Sequence, residues 1–235
     1  MMYQNGVNNV KKTLVIIAHP EVADSQLQQF LLESSQSLEE VEIHYLIEGQ
    51  FDIKEEQNKL KKFDRIIFQF PMYWYSAPFI LKKWIDEVID YTFSKTELRH
   101  KELGLVVSLG VDEANFASGK PENFTLSEIF RPFEALANKC QMIFLPIFSI
   151  SLFSYMTEIE KKRLLIEYQQ YLTKKNNVNF ETKENWFVSR GKSISKTYED
   201  TKQENLEQII SIIENNREEI EDLRLLIDEM RSDEP

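Results

Sequence analysis

Cysteine occurs once in the 235 residues, at Cys140, which excludes an intramolecular disulfide framework and fits a reducing compartment. Its surroundings, FEALANKCQMIFLP, place it where a helix end enters an apolar strand. No histidine or basic group is arranged there to lower a thiol pKa, so Cys140 reads as a small buried hydrophobe. Positive charge is also short. Twenty-eight Lys and Arg stand against 39 Asp and Glu, a formal net charge of −11 with no basic stripe, and this argues against a nucleic-acid partner. No run of about 18 apolar residues occurs, so membrane insertion is not expected. The opening MMYQNGVNNVKK lacks the apolar stretch of a signal peptide, and a cytoplasmic location is the expectation. Histidine is scarce. Of three, His44 on a strand and His100 in a charged loop have no motif partners and read as structural or solvated, and no metal site is expected.

What is present is core material: 42% hydrophobic residues, including 16 Phe and 9 Tyr, enough for one α/β domain of about 150–200 residues plus an appendage. Thr13 to Ala18 is a continuous, largely β-branched run, the pattern of a strand covered on both faces. Strands follow at 41–47, 65–70, 103–109 and 142–150, the last containing Pro146. Helical periodicity occupies 25–38, 54–63, 78–89, 126–139 and 158–172 between and after them. Alternation over residues 13–175 implies a parallel sheet with helices on both faces and right-handed crossovers.

Residues 1–12 read as a flexible tail, and the polar stretch 176–202 as a connector with Trp186, Phe187 and Tyr198 as docking points. Beyond it, over 203–231, Leu206, Ile209, Ile213, Asn216, Ile220, Leu223, Ile227 and Met230 follow 3–4 spacing, the seam of a coiled coil with one polar interruption. Ile210, Ile212, Leu225 and Leu226 widen that face, so packing of the helix on a globular domain remains an alternative.

Ligands of such sheets bind beyond the carboxyl ends of the strands. Three loops leave those ends. His19-Pro-Glu-Val-Ala-Asp-Ser25 offers an imidazole, a hydroxyl and free N–H groups at a helix start, suited to an anion or simply to capping. Phe70-Pro-Met-Tyr-Trp-Tyr-Ser-Ala-Pro78 strings aromatic residues through a turn between prolines. That fits a flat ligand stacked on the turn, or rings that cap the sheet or line a subunit interface. Ser108 to Phe116 contributes one glycine.

These segments, with Glu56-Gln57, FQFPMYWYSAPFILKKWIDEV from Phe68 and RPFEALANKCQMIFLP from Arg131, resemble the NAD(P)H:quinone oxidoreductase family of flavodoxin-like proteins over residues 13–172. Within it they are most similar to the bacterial quinone reductases and the ancillary flavoproteins of potassium efflux systems. The resemblance implies a doubly wound, five-stranded parallel sheet, to which the periodic residues 203–231 add a C-terminal helical extension. It further implies FMN (alternatively FAD), NAD(P)H as electron donor, ping-pong transfer of two electrons to a quinone-like acceptor, and a homodimer with flavin sites at the interface. Carried over by position, His19, Ser25 and Gln28 fall on the phosphate-binding stretch. Pro71, Met72, Tyr73, Trp74 and Tyr75 fall on the isoalloxazine turn, and Gln57 on a glutamine near the flavin. Ser108 and Gly110 remain of a Thr-Thr-Gly-Gly loop, with Val111 placing a branched side chain near the ring. The family's active-site tyrosine and histidine are Phe116 and Ser151 here, which leaves the catalytic residues unassigned and implies slower or differently selective turnover. The alternative reading is a regulatory protein, flavin-bound or flavin-free, attached to a partner such as a transporter.

Overall fold

The computed structural model describes residues 11–174, 180–197 and 201–232; most of the expected N-terminal tail, and Tyr198, lie outside them. The chain divides into two compact units, one ending at Thr173 and one beginning at Lys174.

In the first unit, β1 (Thr13–Ile17) is buried along its whole length and pairs in parallel with β2 (Val41–Tyr45) and β3 (Arg65–Pro71). Next to β3 lies β4 (Glu102–Leu109), and the order across the sheet is β2-β1-β3-β4-β5. Side chains alternate between the two faces. Leu14 and Ile16 pack with Phe68, Phe70, Trp84 and Phe130 on one side. On the other, Val15 and Ile17 meet Leu27 and Leu31 of α1 (Gln26–Ser35) and Leu164 and Leu172 of α7 (Glu158–Thr173). The first face is covered by α2 (Ile53–Lys61), α3 (Phe79–Val88), α4 (Tyr91–Thr96), α5 (Leu126–Ile129) and α6 (Arg131–Lys139). Two of these differ from the sequence reading. The helix expected at 126–139 is split, with Pro132 in the first turn of α6, and α4 is an additional turn started by the Asp90 cap.

The fifth strand, read as continuous over 142–150, is also broken. It forms β5 (Ile143–Phe144) and β6 (Phe148–Ser151), each parallel to β4, because Pro146 between them has no N–H to give the ladder. The gap is filled from α7. Leu105 N donates to Tyr171 Oη at 3.1 Å, and Tyr171 Oη donates to Pro146 O at 2.8 Å. Gly104 makes room for this, since a Cβ there would lie 2.5 Å from Tyr171 Oη and 2.7 Å from Ile67 Cδ1.

Polar groups fix the register. Arg65 and Glu102 are paired residues of β3 and β4, both buried, with Nε and Oε2 2.7 Å apart, and Lys11 joins the same carboxylate. Arg65 Nη1 also donates to Tyr171 O at 2.5 Å and Thr13 Oγ1 to Leu172 O at 2.7 Å, satisfying carbonyls at the end of α7. His44, partnerless in the sequence, pairs with Glu56 at 2.9 Å. Trp84 Nε1 donates to the same carboxylate, also at 2.9 Å. Burial works to raise the Glu56 pKa, but the hydrogen bonds from His44 and Trp84 outweigh it and hold the group below its ordinary range.

The expected connector is a correction: it contains α8 (Phe180–Ser195). Its polar composition hides a narrow stripe of Val188, Gly191 and Ser195 at helical spacing, which faces α9 (Thr201–Ser232). A Cβ on Gly191 would stand 3.0 Å from Ile210 Cδ1, so the helices approach closely there. Lys192 with Glu214 at 2.7 Å and Arg217 with Glu184 at 3.3 Å tie the pair. Ile210, outside the expected seam, is therefore the residue of α9 that is most covered, at 6% exposure.

Tyr171→Phe leaves Leu105 N–H and Pro146 O without their partner and is expected to cost about 1–3 kcal/mol. Gly104→Ala is expected to cost a similar amount by overpacking, about 1–3 kcal/mol, and less when added to Tyr171→Phe. Urea unfolding of the single and double variants checks this; wild-type midpoints for both singles would contradict the plug.

Candidate functional site

Between Pro71 and Pro78 the chain must leave the sheet and reverse into α3. Tyr73 N donates to Ser76 O at 2.9 Å and Ser76 N to Tyr73 O at 3.0 Å, closing a two-residue turn centred on Trp74 and Tyr75. Both central residues have positive φ, 47° and 59°, as a type I′ turn requires and as Asn-Gly would ordinarily supply. A non-glycine residue in this region costs roughly 1–3 kcal/mol. Burial does not compensate, because both rings are exposed, Trp74 by 94%. Strain beneath exposed aromatic surface makes this turn a candidate binding element. The turn is held from two sides: Met72 N donates to Ser108 O at 3.0 Å, and Tyr75 Oη to Glu122 Oε2 at 2.8 Å. That hydrogen bond pushes the Tyr75 phenol pKa up. The N–H groups of Trp74 and Tyr75 lie outside the two-bond ladder of the turn.

The loop after β1 begins with Ala18 N donating to Gln69 O at 2.9 Å, which keeps it beside β3. His19 Nδ1 accepts from Glu21 N at 3.0 Å. Burial lowers the His19 pKa against the opposing charge of Glu21, and a neutral ring accepting at Nδ1 carries its proton on Nε2. Ser25 caps α1, its Oγ accepting from Gln28 N at 3.3 Å. Its hydroxyl hydrogen is free of that bond, so capping and anion binding are compatible in one residue.

Two expected site residues are not brought here. Gln28 points into the core at 2% exposure. Its Oε1 accepts from Gln69 Nε2 at 2.6 Å, and Tyr168 Oη donates to Gln69 Oε1 at 2.8 Å. The side chain serves this buried chain of hydrogen bonds because the Leu27–Leu31 face of α1 lies on the sheet. Gln57 is likewise spent elsewhere, donating to Val88 O at 2.9 Å and Asp90 Oδ2 at 3.0 Å. Those atoms lie at the far end of α3, about 15 Å along the helix from the aromatic turn by the rise per residue.

The third loop leaves β4 at Ser108 and Leu109. Gly110 is exposed, and a Cβ on it would meet nothing within 4 Å, so the chain's own packing does not require glycine there. Val111 is exposed beside it. Phe116, at the position of the family's tyrosine, is 6% exposed and belongs to the core cluster of Phe70 and Phe130. Ser151 is used as a tie, its Oγ accepting from Glu113 N at 2.9 Å, while Ser149 Oγ donates to the Glu113 carboxylate at 2.5 Å. Beyond it Leu152 has φ of 48°, a further left-handed residue at the end of β6. Tyr155 follows in exposed surface. Glu113, Glu122 and Tyr155 were not singled out by the sequence. Glu122 is 47 residues from the tyrosine it binds, a separation at which no local spacing signals contact. Among the described residues no cluster of ligating side chains could hold a metal ion.

His19, Ser25, the Pro71–Tyr75 turn, Ser108 and Gly110 thus sit at the carboxyl ends of adjacent strands or on the loops that follow them. The profile of a family described as having a flavodoxin-like fold matches residues 11–173. The chain is 40% identical over 147 residues to the uncharacterized NAD(P)H oxidoreductase YrkL of Bacillus subtilis, a stretch covering 59% of this chain and 84% of that protein. It is similar to the crystal structure of an NADPH-quinone reductase from P. pentosaceus, with 44% identity and a TM-score of 0.67 over 72% of this chain and 99% of that one. It is similar also to general stress protein 14 of Treponema denticola in complex with FMN, with 29% identity and a TM-score of 0.64 over 68% and 97% of the two chains.

Ser25→Ala removes the cap of α1 and is expected to lower stability by about 1 kcal/mol, with Ser25→Asp restoring it. Thermal unfolding of the three proteins decides; no loss in Ser25→Ala would mean that the hydroxyl does not hold the helix start.

Proposed function

This chain belongs to the flavodoxin-like fold family through residues 11–173, and from that premise we propose that it is an FMN-dependent NAD(P)H oxidoreductase acting on quinone-like planar acceptors. The observation that carries the reading is the Trp74–Tyr75 turn, strained and exposed together. The quinone reductase and FMN-bound relatives support the choice of chemistry.

The residues present fit a flavin. Open space over Gly110 admits a flat ring against the backbone. The aromatic turn offers a stacking face and the two N–H groups outside its ladder. Ser25, the start of α1 and neutral His19 supply donors for a phosphate. FMN, when bound, would supply the hydride acceptor, with the nucleotide leaving before the acceptor enters. The protein's part is orientation and exclusion of water, with Glu122 steadying the turn through Tyr75 and Glu113 pinning the third loop to β6. Phe116 is buried and carries no transferable proton, and the Ser151 hydroxyl is too weak an acid to stand in for an imidazole. General-acid help, ordinarily worth about 10²- to 10⁴-fold, is thus missing at both positions, and turnover should be slow or narrow in acceptor choice. A homodimer joined over the site, with exposed Trp74, Phe124, Tyr155 and Ile159 as its apolar surface, belongs to the same proposal. So does a cytoplasmic location, supported by the single cysteine; among the described residues no helix is long and apolar enough to cross a membrane.

Purified protein supplemented with FMN is expected to show a bound-flavin visible spectrum that bleaches anaerobically with NADH or NADPH and recovers on adding a quinone. Gly110→Ala is expected to leave unfolding stability within about 0.5 kcal/mol while weakening FMN at least tenfold. A protein that binds neither FMN nor FAD would overturn the enzyme reading and leave a flavodoxin-shaped partner-binding protein.

A further inference from the structure

Every residue of α9 from Glu218 to Arg231 is exposed, including Ile220, Leu223, Leu225, Leu226, Ile227 and Met230. Arg217, just before this stretch, is partly covered and pairs with Glu184 of α8. A free helix of about 12–15 residues is marginal in water, and one bearing six large apolar side chains needs a cover. The face is ordered in heptads. Ile213, Ile220 and Ile227 fall at one seam position and Asn216, Leu223 and Met230 at the other. β-Branched Ile at the first position with Leu223 and Met230 at the second favour two parallel strands.

We infer that the C-terminal half of α9 pairs in parallel, in register, with α9 of a second copy of this chain. Charge selects the occupant. Arg217, Arg224 and Arg231 recur every seven residues on one flank of the seam, and Glu219 stands on the other. Parallel pairing sets Glu219 of each copy against Arg224 of the other, two attractive contacts related by the two-fold axis. Antiparallel self-pairing sets the arginine flanks against each other. An anionic lipid surface is disfavoured, because residues 218–231 carry six acidic and two basic side chains. Asn216 meets its own copy and is satisfied there, as the in-register arrangement requires. The family match ends at residue 173, so this contact is made by residues outside those of the proposed flavin-site dimer.

Cysteine cross-linking of the full chain tests this, with Cys140 buried and out of reach. In a parallel pair each seam residue faces its own copy at disulfide distance. Leu223→Cys and Met230→Cys, made separately, are each expected to give disulfide-linked dimers under mild oxidation at least tenfold faster than Leu225→Cys, which lies opposite the seam. Arg224→Glu should slow the reaction and Glu219→Arg with Arg224→Glu should restore it. Equal rates at 223 and 225 would overturn self-pairing, and cross-linking at just one of 223 and 230 would overturn the parallel arrangement.

Discussion

The pairing of β3 with β4 positions the candidate site. At its beginning the buried Arg65–Glu102 contact joins register partners. A slip by one residue would turn both charges onto opposite faces and strand them in apolar surroundings, at a cost of several kcal/mol. At its end Met72 N reaches Ser108 O, so the same register delivers the aromatic turn and the Gly110 loop to one place. Hydrophobic burial alone would fix this pairing less firmly, since the two strands are apolar on both faces. The polar contacts at the two ends supply the specificity.

From that fixed pairing the turn inherits its strain. Pro71 ends the strand and Pro78 caps the start of α3, and in the turn between them Trp74 and Tyr75 take left-handed conformations. The hydrogen bond to Glu122 and the two-bond ladder of the turn hold them there. Leu152 at the end of β6 shows that the neighbouring loop is held in the same manner. Backbone that is costly in the free protein is ready-made for a ligand, because the ordering cost has been met by the fold.

Much of this is legible in the sequence. The run Thr13–Ala18, the periodic helices and the proline-bracketed aromatic stretch carry their signals within a few residues, and the sheet and the exposed aromatic turn follow from them. What escapes depends on distant partners. Gln28 lies one residue from apolar Leu27, and its inward direction is set by Gln69 and Tyr168, far along the chain. Phe116 falls at a site position by alignment, yet the local turn around Asp112 sends its ring into the core. The hidden stripe of α8 eludes hydrophobic patterning because it is built from small residues, Gly191 and Ser195, that matter through closeness and not through apolar area. Pro146 is visible, but the hydroxyl that repairs its gap comes from Tyr171, 25 residues on.

The central claim is that strain at Trp74 and Tyr75 is maintained for ligand binding. Its most direct measurement is the unfolding free energy and the FMN dissociation constant of the variant Trp74→Gly beside the wild type, which leaves the Tyr75–Glu122 hydrogen bond in place. Relief of one left-handed residue should raise ligand-free stability by about 1 kcal/mol, after the entropy that glycine adds to the unfolded chain. FMN affinity should fall at least tenfold, about 1.4 kcal/mol. A variant that is less stable without ligand, or that binds FMN as the wild type does, would contradict the account.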